Sequence, residues 1–204
     1  CLEALAKHTP EDLYELIIVD NNSTDGTHEY LSGINENVKI ITNNENQGFT
    51  IACNQGAREA QGEYIVFLNN DTIPLDGWLT ALIDTFKLGD DIGAVGSKLI
   101  YPDMRLQEAG GIIFSDGNGW NFGKGDIADH GRYNRLIEVD YCSAASLSGA
   151  SAAISPGAAK WSSPFTASRY SPTCTPTPGS VRGDRSSGFQ FNPPNTLAKR
   201  YRPS

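Results

Sequence analysis

Apolar runs alternate with polar turns along the first hundred residues at the spacing of an α/β sheet. Cys1 to His8 reads as the end of a helix, with Leu2 and Leu5 on one face, stopped before Pro10. Leu16-Ile17-Ile18-Val19 is a continuous apolar run rich in β-branched residues, the pattern of a strand buried on both faces of a parallel sheet. It ends in the polar turn Asp20 to Gly26, and a short helix from about Thr27 to Leu31 follows. Val38 to Ile41 is a second strand, then come the loop Thr42 to Gln47 and a helix from about Gly48 to Ala60. Tyr64 to Leu68 is a third strand that ends in Asn69-Asn70-Asp71-Thr72. Pro74 and Asp76 introduce a helix carrying Trp78, Leu79, Leu82, Ile83 and Phe86, and Ile92 to Val95 is a fourth strand. Repetition of strand, turn and helix predicts a parallel, doubly wound sheet with right-handed crossovers. Ligands of such sheets bind beyond the carboxyl ends of the strands, where the turns at Asp20 and Asp71 fall.

From Ile100 the segments shorten and glycines multiply. Ala109 to Phe114 and Asp116 to Gly119 suggest a hairpin with a glycine-rich loop, and Leu136 to Tyr141 another strand. Past Ser146 no element can be assigned. The charge changes at the same point: residues 1–145 hold 9 Lys and Arg against 23 Asp and Glu, a net −14, and residues 146–204 hold 7 against one, a net +6. The later stretch also carries 8 of the 11 prolines. Two domains of character follow: 1–145 as a partial α/β domain, and 146–204 as a Ser/Pro-rich basic tail expected to be poorly ordered.

Composition removes several classes. No apolar run reaches the roughly 18 residues that span a bilayer, and no signal segment opens the chain, so the expected location is the cytoplasm. Cys1, Cys53, Cys142 and Cys174 show no metal or disulfide spacing, and Cys53 and Cys142 read as reduced, buried thiols. The phosphate loop of kinases and the dinucleotide fingerprint of dehydrogenases are missing, and the acidic first half argues against nucleic acid. His8, His28 and His130 read as surface residues.

What remains is chemistry at strand ends. Asp71, flanked by Asn69 and Asn70 at the mouth of a strand, offers oxygen ligands to a divalent cation that takes one or two protein carboxylates and completes its shell with water and phosphate. A strand-ending turn is the alternative use of the same residues. The stretch Asp20-Asn21-Asn22-Ser23-Thr24-Asp25-Gly26 fails the EF-hand spacing and suits a carboxylate that accepts hydrogen bonds from a nucleobase or ribose, with Ser23 and Asp25 supporting the turn. Asn43 to Phe49, with Ala52, Asn54 and Gly56 on the following helix, forms a third polar mouth.

Taken in order, Ile17 to Thr27, then Asn46-Gln47-Gly48-Phe49 with Asn54 and Gly56, then Gly62 to Thr72, resemble the family 2 glycosyltransferases, with matching spacing as far as about Ala145. Leu68-Asn69-Asn70-Asp71, Gly110-Gly111 and Val139 to Ala145 are most similar to its rhamnosyltransferase-like branch. The resemblance implies a Rossmann-like GT-A fold and a nucleotide-diphosphate sugar donor. It further implies a divalent metal (Mg or Mn), a saccharide or lipid-linked saccharide acceptor, and work at the inner face of the membrane, as in cell wall polysaccharide synthesis. It makes Asp20, Asn22, Asn46, Gly48, Asn54, Asn69 and Asn70 donor-binding residues and Asp71 the metal ligand. Inverting members use a carboxylate base on the acceptor hydroxyl.

Two departures stand out. The family opens with a strand and turn ahead of the helix at which this chain begins. Its base lies in an acidic segment beyond the Val139 to Ala145 match, where this chain has Asp184 alone in an unlike context, so no catalytic base is assigned. A reading-frame change near Ala145 in the gene would account for the switch in charge. The expectation is a donor-binding half with weak or absent turnover. A non-catalytic nucleotide-sugar binding fragment and a sugar-nucleotide pyrophosphorylase are the alternatives.

Overall fold

The computed structural model describes residues 1–34, 38–150 and the backbone of 189–200. The chain opens with α1 (Leu2–His8), β1 (Leu16–Asp20), α2 (Thr27–Ser32), β2 (Val38–Thr42), α3 (Phe49–Glu59) and β3 (Tyr64–Leu68). The short β4 (Thr72–Ile73), α4 (Trp78–Phe86) and the long β5 (Ile92–Ile100) follow. Short strands then come in succession: β6 (Leu106–Glu108), β7 (Gly111–Ile113), β8 (Gly119–Asn121) and β9 (Ile137–Glu138). The last two are β10 (Ser146–Ala150) and β11 (Phe189–Arg200). The α/β alternation read from the apolar pattern holds through β5, with element ends shifted by a residue or two; β5 itself runs five residues past Val95.

The sheet is mixed, which corrects the expectation of an all-parallel one. β1 and β2 pair in parallel, Leu16 opposite Val38 through Asp20 opposite Thr42. β3, however, meets β5 among the described residues through β10, which runs antiparallel to both. A second order, β3-β10-β5-β11-β4, thus makes the larger sheet. β10 escaped sequence reading because Ser146-Leu147-Ser148-Gly149-Ala150 has no apolar run. Its buried serines are satisfied instead by hydrogen bonds, Ser146 Oγ with Ser97 Oγ at 2.8 Å and Ser148 Oγ donating to Val95 O at 3.0 Å. β10 thus begins at the residue where the composition changes.

β11 likewise lies where no element was assigned, antiparallel to β5. Its register shifts between Phe191 and Thr196, the stretch that holds Pro193 and Pro194, whose nitrogens cannot donate to a ladder. The expected poor order of the rest of the tail, and Cys174, fall on residues outside those described. Cys53 and Cys142 are only half-buried, where burial was expected. The hairpin expected after Ile100 forms as β7–β8. The strand expected over 136–141 contracts to β9 and a bridge from Tyr141 to Gly111.

Two apolar clusters hold the described part together. In the first, Leu5 of α1 meets Trp78, Leu82 and Phe86 of α4 and Val95 and Leu99 of β5. α4 presents these side chains at helical spacing, and Trp78 Nε1 donates to Thr9 Oγ1 at 2.8 Å, so the buried indole N–H is satisfied. In the second, Ile100 and Leu106 pack with Ala109, Ala128 and Tyr133. Gly111 lies so close to Tyr141 that a Cβ there would sit 2.0 Å from the ring, which explains a glycine within a strand.

Glu108 on β6 is 3% exposed, and its Oε1 accepts from Ser143 N at 3.0 Å. Burial raises its carboxyl above the ordinary range, and the Ser143 bond opposes this only in part. Between the unfolded and folded values the native state keeps a proton that the unfolded chain releases. The group's contribution is thus greatest below the unfolded value and is lost as the pH rises through the folded one. Glu108→Gln, which keeps an acceptor for Ser143 but never ionises, should raise the melting temperature at pH 7 by about 2–5 °C and change it little at pH 4. Thermal melts at the two pH values check this; an equal shift at both would contradict it.

Candidate functional site: a cleft between two strand ends

β1 and β3 lie on either side of a cleft of about 910 Å³, lined by residues 16–20 of the one and 65–70 of the other, with Cys1, Leu2 and Leu5 of α1 and Ala52, Cys53 and Gly56 of α3. Among the described residues β1 pairs only with β2, and β3 only with β10. Among the described residues each strand thus has one edge without a strand partner, and their apolar residues, the buried Ile65 excepted, are half-buried where burial on both faces was expected. Gly56 brings α3 against β1, although a Cβ there would stand 3.5 Å from Val19, an ordinary contact, so the packing does not itself demand glycine.

Asp20, Asn69 and Asn70 line this cleft at the carboxyl ends of their strands. Asp20 is 4% exposed; its Oδ1 accepts from Ser23 N at 2.9 Å and its Oδ2 stands 3.6 Å from His28 Nδ1. Hydrogen bonds from Ser23, with His28 close by, hold its carboxyl below the usual range, so it is ionised at neutral pH. Asp25 Oδ1 accepts from Thr27 N and Thr27 Oγ1, which fixes the start of α2. Asn69 N donates to Ala145 O at 3.0 Å, which ties the β3 end to the segment entering β10.

The other sequence-predicted residues are placed differently. Asn22 is exposed in the turn at a φ of 66°, a left-handed conformation that asparagine tolerates. Asn46 Oδ1 accepts from Asn21 Nδ2 at 2.8 Å and from Gly48 N at 2.9 Å. Gly48, at a φ of 80°, precedes α3, and Asn54 is half-buried on that helix. None of these four lines the cleft. Asp71 is exposed one residue past Asn70 and does not line it either.

Two residues were not picked out from the sequence. Asn21 is the hub of the β1 and β2 ends: its Oδ1 accepts from Asn43 Nδ2 and from Gln47 N, each at 3.0 Å, while its Nδ2 reaches Asn46. Asn43 in turn exchanges two bonds with Gln55 of α3. The density of Asn in both loops was the available signal. His28, read as a plain surface residue, is exposed but stands beside Asp20, and only the first turn of α2 puts it there.

For a cation the donor set is spare. Among the described residues no three His, Cys, Asp or Glu side chains gather to hold a metal. Asp71, an accessible carboxylate beside the Asn70 amide, fits a hard ion that arrives with a diphosphate and keeps several waters; it does not fit an ion held by protein alone. No helix among the described residues is long and apolar enough to cross a membrane.

Comparison with known proteins adds the family. The chain is 34% identical over 109 residues to Glycosyltransferase AglE of Haloferax volcanii, covering 50% of this chain and 36% of that protein. It is 30% identical over 146 residues to an uncharacterized glycosyltransferase of Haemophilus influenzae, covering 70% of this chain and 41% of the relative. It therefore spans less than half the length of either. Among solved structures, the mannosyltransferase PcManGT of Pyrobaculum calidifontis, in complex with GDP-Man and Mn2+, matches with a TM-score of 0.41 at 25% identity, over 46% of this chain and 29% of that one. The family described as Glycosyl transferase family 2 matches residues 1–153, three residues beyond the end of β10. The sugar-nucleotide pyrophosphorylase alternative is set aside on that match, and the chain belongs to glycosyl transferase family 2.

Proposed function

We propose that this chain is the donor-binding part of an inverting glycosyltransferase of the rhamnosyltransferase-like branch, which takes a nucleotide-diphosphate sugar and serves a saccharide or lipid-linked saccharide acceptor at the inner face of the membrane. The observation that carries this reading is the convergence of Asp20 from β1 and Asn69 and Asn70 from β3 on one cleft. Asp20, buried and ionised, is the acceptor for the nucleobase, with Ser23 fixing its rotamer. Asn21 holds the neighbouring loop, with Asn46 and Gly48, against the β1 end; Asn22 and Asn54, outside the cleft, are donor-binding residues on the family resemblance alone. Asn69 and Asn70 supply amide donors and acceptors near the sugar diphosphate. Asp71 is the ligand of a divalent cation, which when bound with the donor neutralises charge on the leaving diphosphate.

No residue is assigned as catalytic base, so turnover is weak or absent, and a fragment that binds without catalysing is the second reading. The switch in charge is read as a frame change near Ala145, although the family match runs on to residue 153. Genomic DNA with no acidic family-like segment in an alternative frame would contradict it. Calorimetry with UDP, GDP and dTDP in the presence of Mn2+, beside a sugar-release assay, tests the function. Binding with slow or no release is expected, and failure to bind any of the three would refute the donor reading.

A further inference from the structure

Asp20 can hold a nucleobase by its edge, and the faces of the base then need a surface of their own. Its Oδ1 accepts from Ser23 N, which leaves Oδ2 for one base N–H. A single bond of that kind contributes little where water competes for both groups. The flat, apolar faces of a base are held by stacking on aromatic rings. Two rings are at hand: Tyr30 of α2 and Phe49 of α3 line the same cleft as Asp20 and are 58% and 52% exposed. Single exposed apolar side chains are ordinary on a protein surface, but two large rings on the wall of one concave site mark it for a flat apolar ligand.

The backbone brings both rings to the carboxyl end of β1. α2 connects that end to the parallel strand β2, so it runs back from the mouth of the cleft, and Tyr30 lies less than one turn from its first residue, Thr27, which also lines the cleft. Helical side chains lean toward the helix N-terminus, here toward the mouth. On α3, Phe49, Ala52, Cys53 and Gly56 line the cleft at the spacing of one helical face. Gly56 sits against Val19 and Ile17, and seven residues of helix span about 10 Å, which carries Phe49 to the end of the strand. The start of α3 is pinned there, since Gln47 N, two residues before Phe49, donates at 3.0 Å to Oδ1 of Asn21, the neighbour of Asp20.

We propose that Tyr30 and Phe49 form the aromatic platform on which the donor's nucleobase stacks while Asp20 takes its N–H. The inference rests on the donor reading given above and adds to it the two residues that hold the base by its faces. The carboxylate reads the edge and the rings supply sequence-tolerant affinity, because every base has a π-face. Neither ring belongs to the apolar clusters that hold the described part together.

The test is calorimetry of UDP, GDP and dTDP with Mn2+ on the full chain, at a temperature where thermal melts show every variant folded. Tyr30→Ala and Phe49→Ala should each bind about tenfold less tightly than wild type, by a similar factor for each nucleotide that wild type binds. Tyr30→Phe and Phe49→Tyr, which keep a ring, should bind as wild type does. Tyr30→Trp and Phe49→Trp add a readout that a purely structural role would not move: stacking should quench the emission of the added indole when nucleotide binds, beyond any change in wild type. Wild-type affinity in either alanine variant, or no added quenching at either position, would overturn the platform and leave the donor reading standing. A wild-type chain that binds none of the three would overturn both.

Discussion

Asp71→Ala is expected to remove the Mn2+-dependent part of nucleoside diphosphate binding, a loss of about a hundredfold in affinity measured with the cation present, and to leave the weak cation-free binding unchanged. The size follows from the donor set. Among the described residues no three His, Cys, Asp or Glu side chains gather, so an ion held as proposed would have Asp71 as its protein charge and take its remaining ligands from water and phosphate. Removing that charge removes the protein's hold on the ion. Asp71 is exposed at the end of β3 and makes no part of either apolar cluster, so the variant should melt with the wild type. Calorimetry with and without Mn2+ reads the effect directly, and unchanged cation dependence in Asp71→Ala would remove the metal role from this residue.

Leu82→Ala should have the largest effect on stability. The side chain is 1% exposed and sits in the first apolar cluster between Leu5, Trp78, Phe86, Val95 and Leu99. Truncation loses its transfer free energy and leaves a cavity that strands and helix cannot close, a cost of about 3–4 kcal/mol. In a chain of this length that corresponds to a fall of roughly 10 °C in melting temperature. Denaturant or thermal unfolding checks it, and a fall of only a degree or two would mean that α4 is not seated on β5 through this residue. Because α1, α4 and β5 carry the cluster, loosening it also loosens one wall of the cleft, where Leu5 lies.

The sequence made the frame of the cleft visible and hid its joinery. Apolar runs of four or five residues closed by Asp20 and by Asn69 mark β1 and β3, because a strand buried in a sheet needs such a run and a ligand site at its end needs polar atoms. β10 could not be seen that way. It is small and polar, and its serines are buried through bonds to Ser97 and Val95 on a strand some fifty residues earlier. β11, with two prolines in its path, contradicts local strand preference and was passed over for the same physical reason that its ladder breaks there. In the site, Asp20, Asn69 and Asn70 were legible from their positions at strand ends. Asn21 was not, since its importance lies in amide bonds to residues 43, 46 and 47 across the loop between two strands. His28 was not, since its nearness to Asp20 depends on the path of a turn through Asn22 and Gly26, both at positive φ. Periodicity reports which face of an element is buried; it is silent about hydrogen bonds that join loops.

The same distinction shapes what the family match contributes. It places residues 1–153 in glycosyl transferase family 2, while the roles proposed for Asp20 and Asp71 concern one carboxylate buried and ionised at the cleft and another exposed one residue past Asn70.

A crystal structure of the chain soaked with a nucleoside diphosphate and Mn2+ tests this account most directly. The base should lie against Asp20 Oδ2, with the cation between Asp71 and the diphosphate. A nucleotide seated away from the β1 and β3 ends, or a Mn2+ ion bound without Asp71, would contradict it.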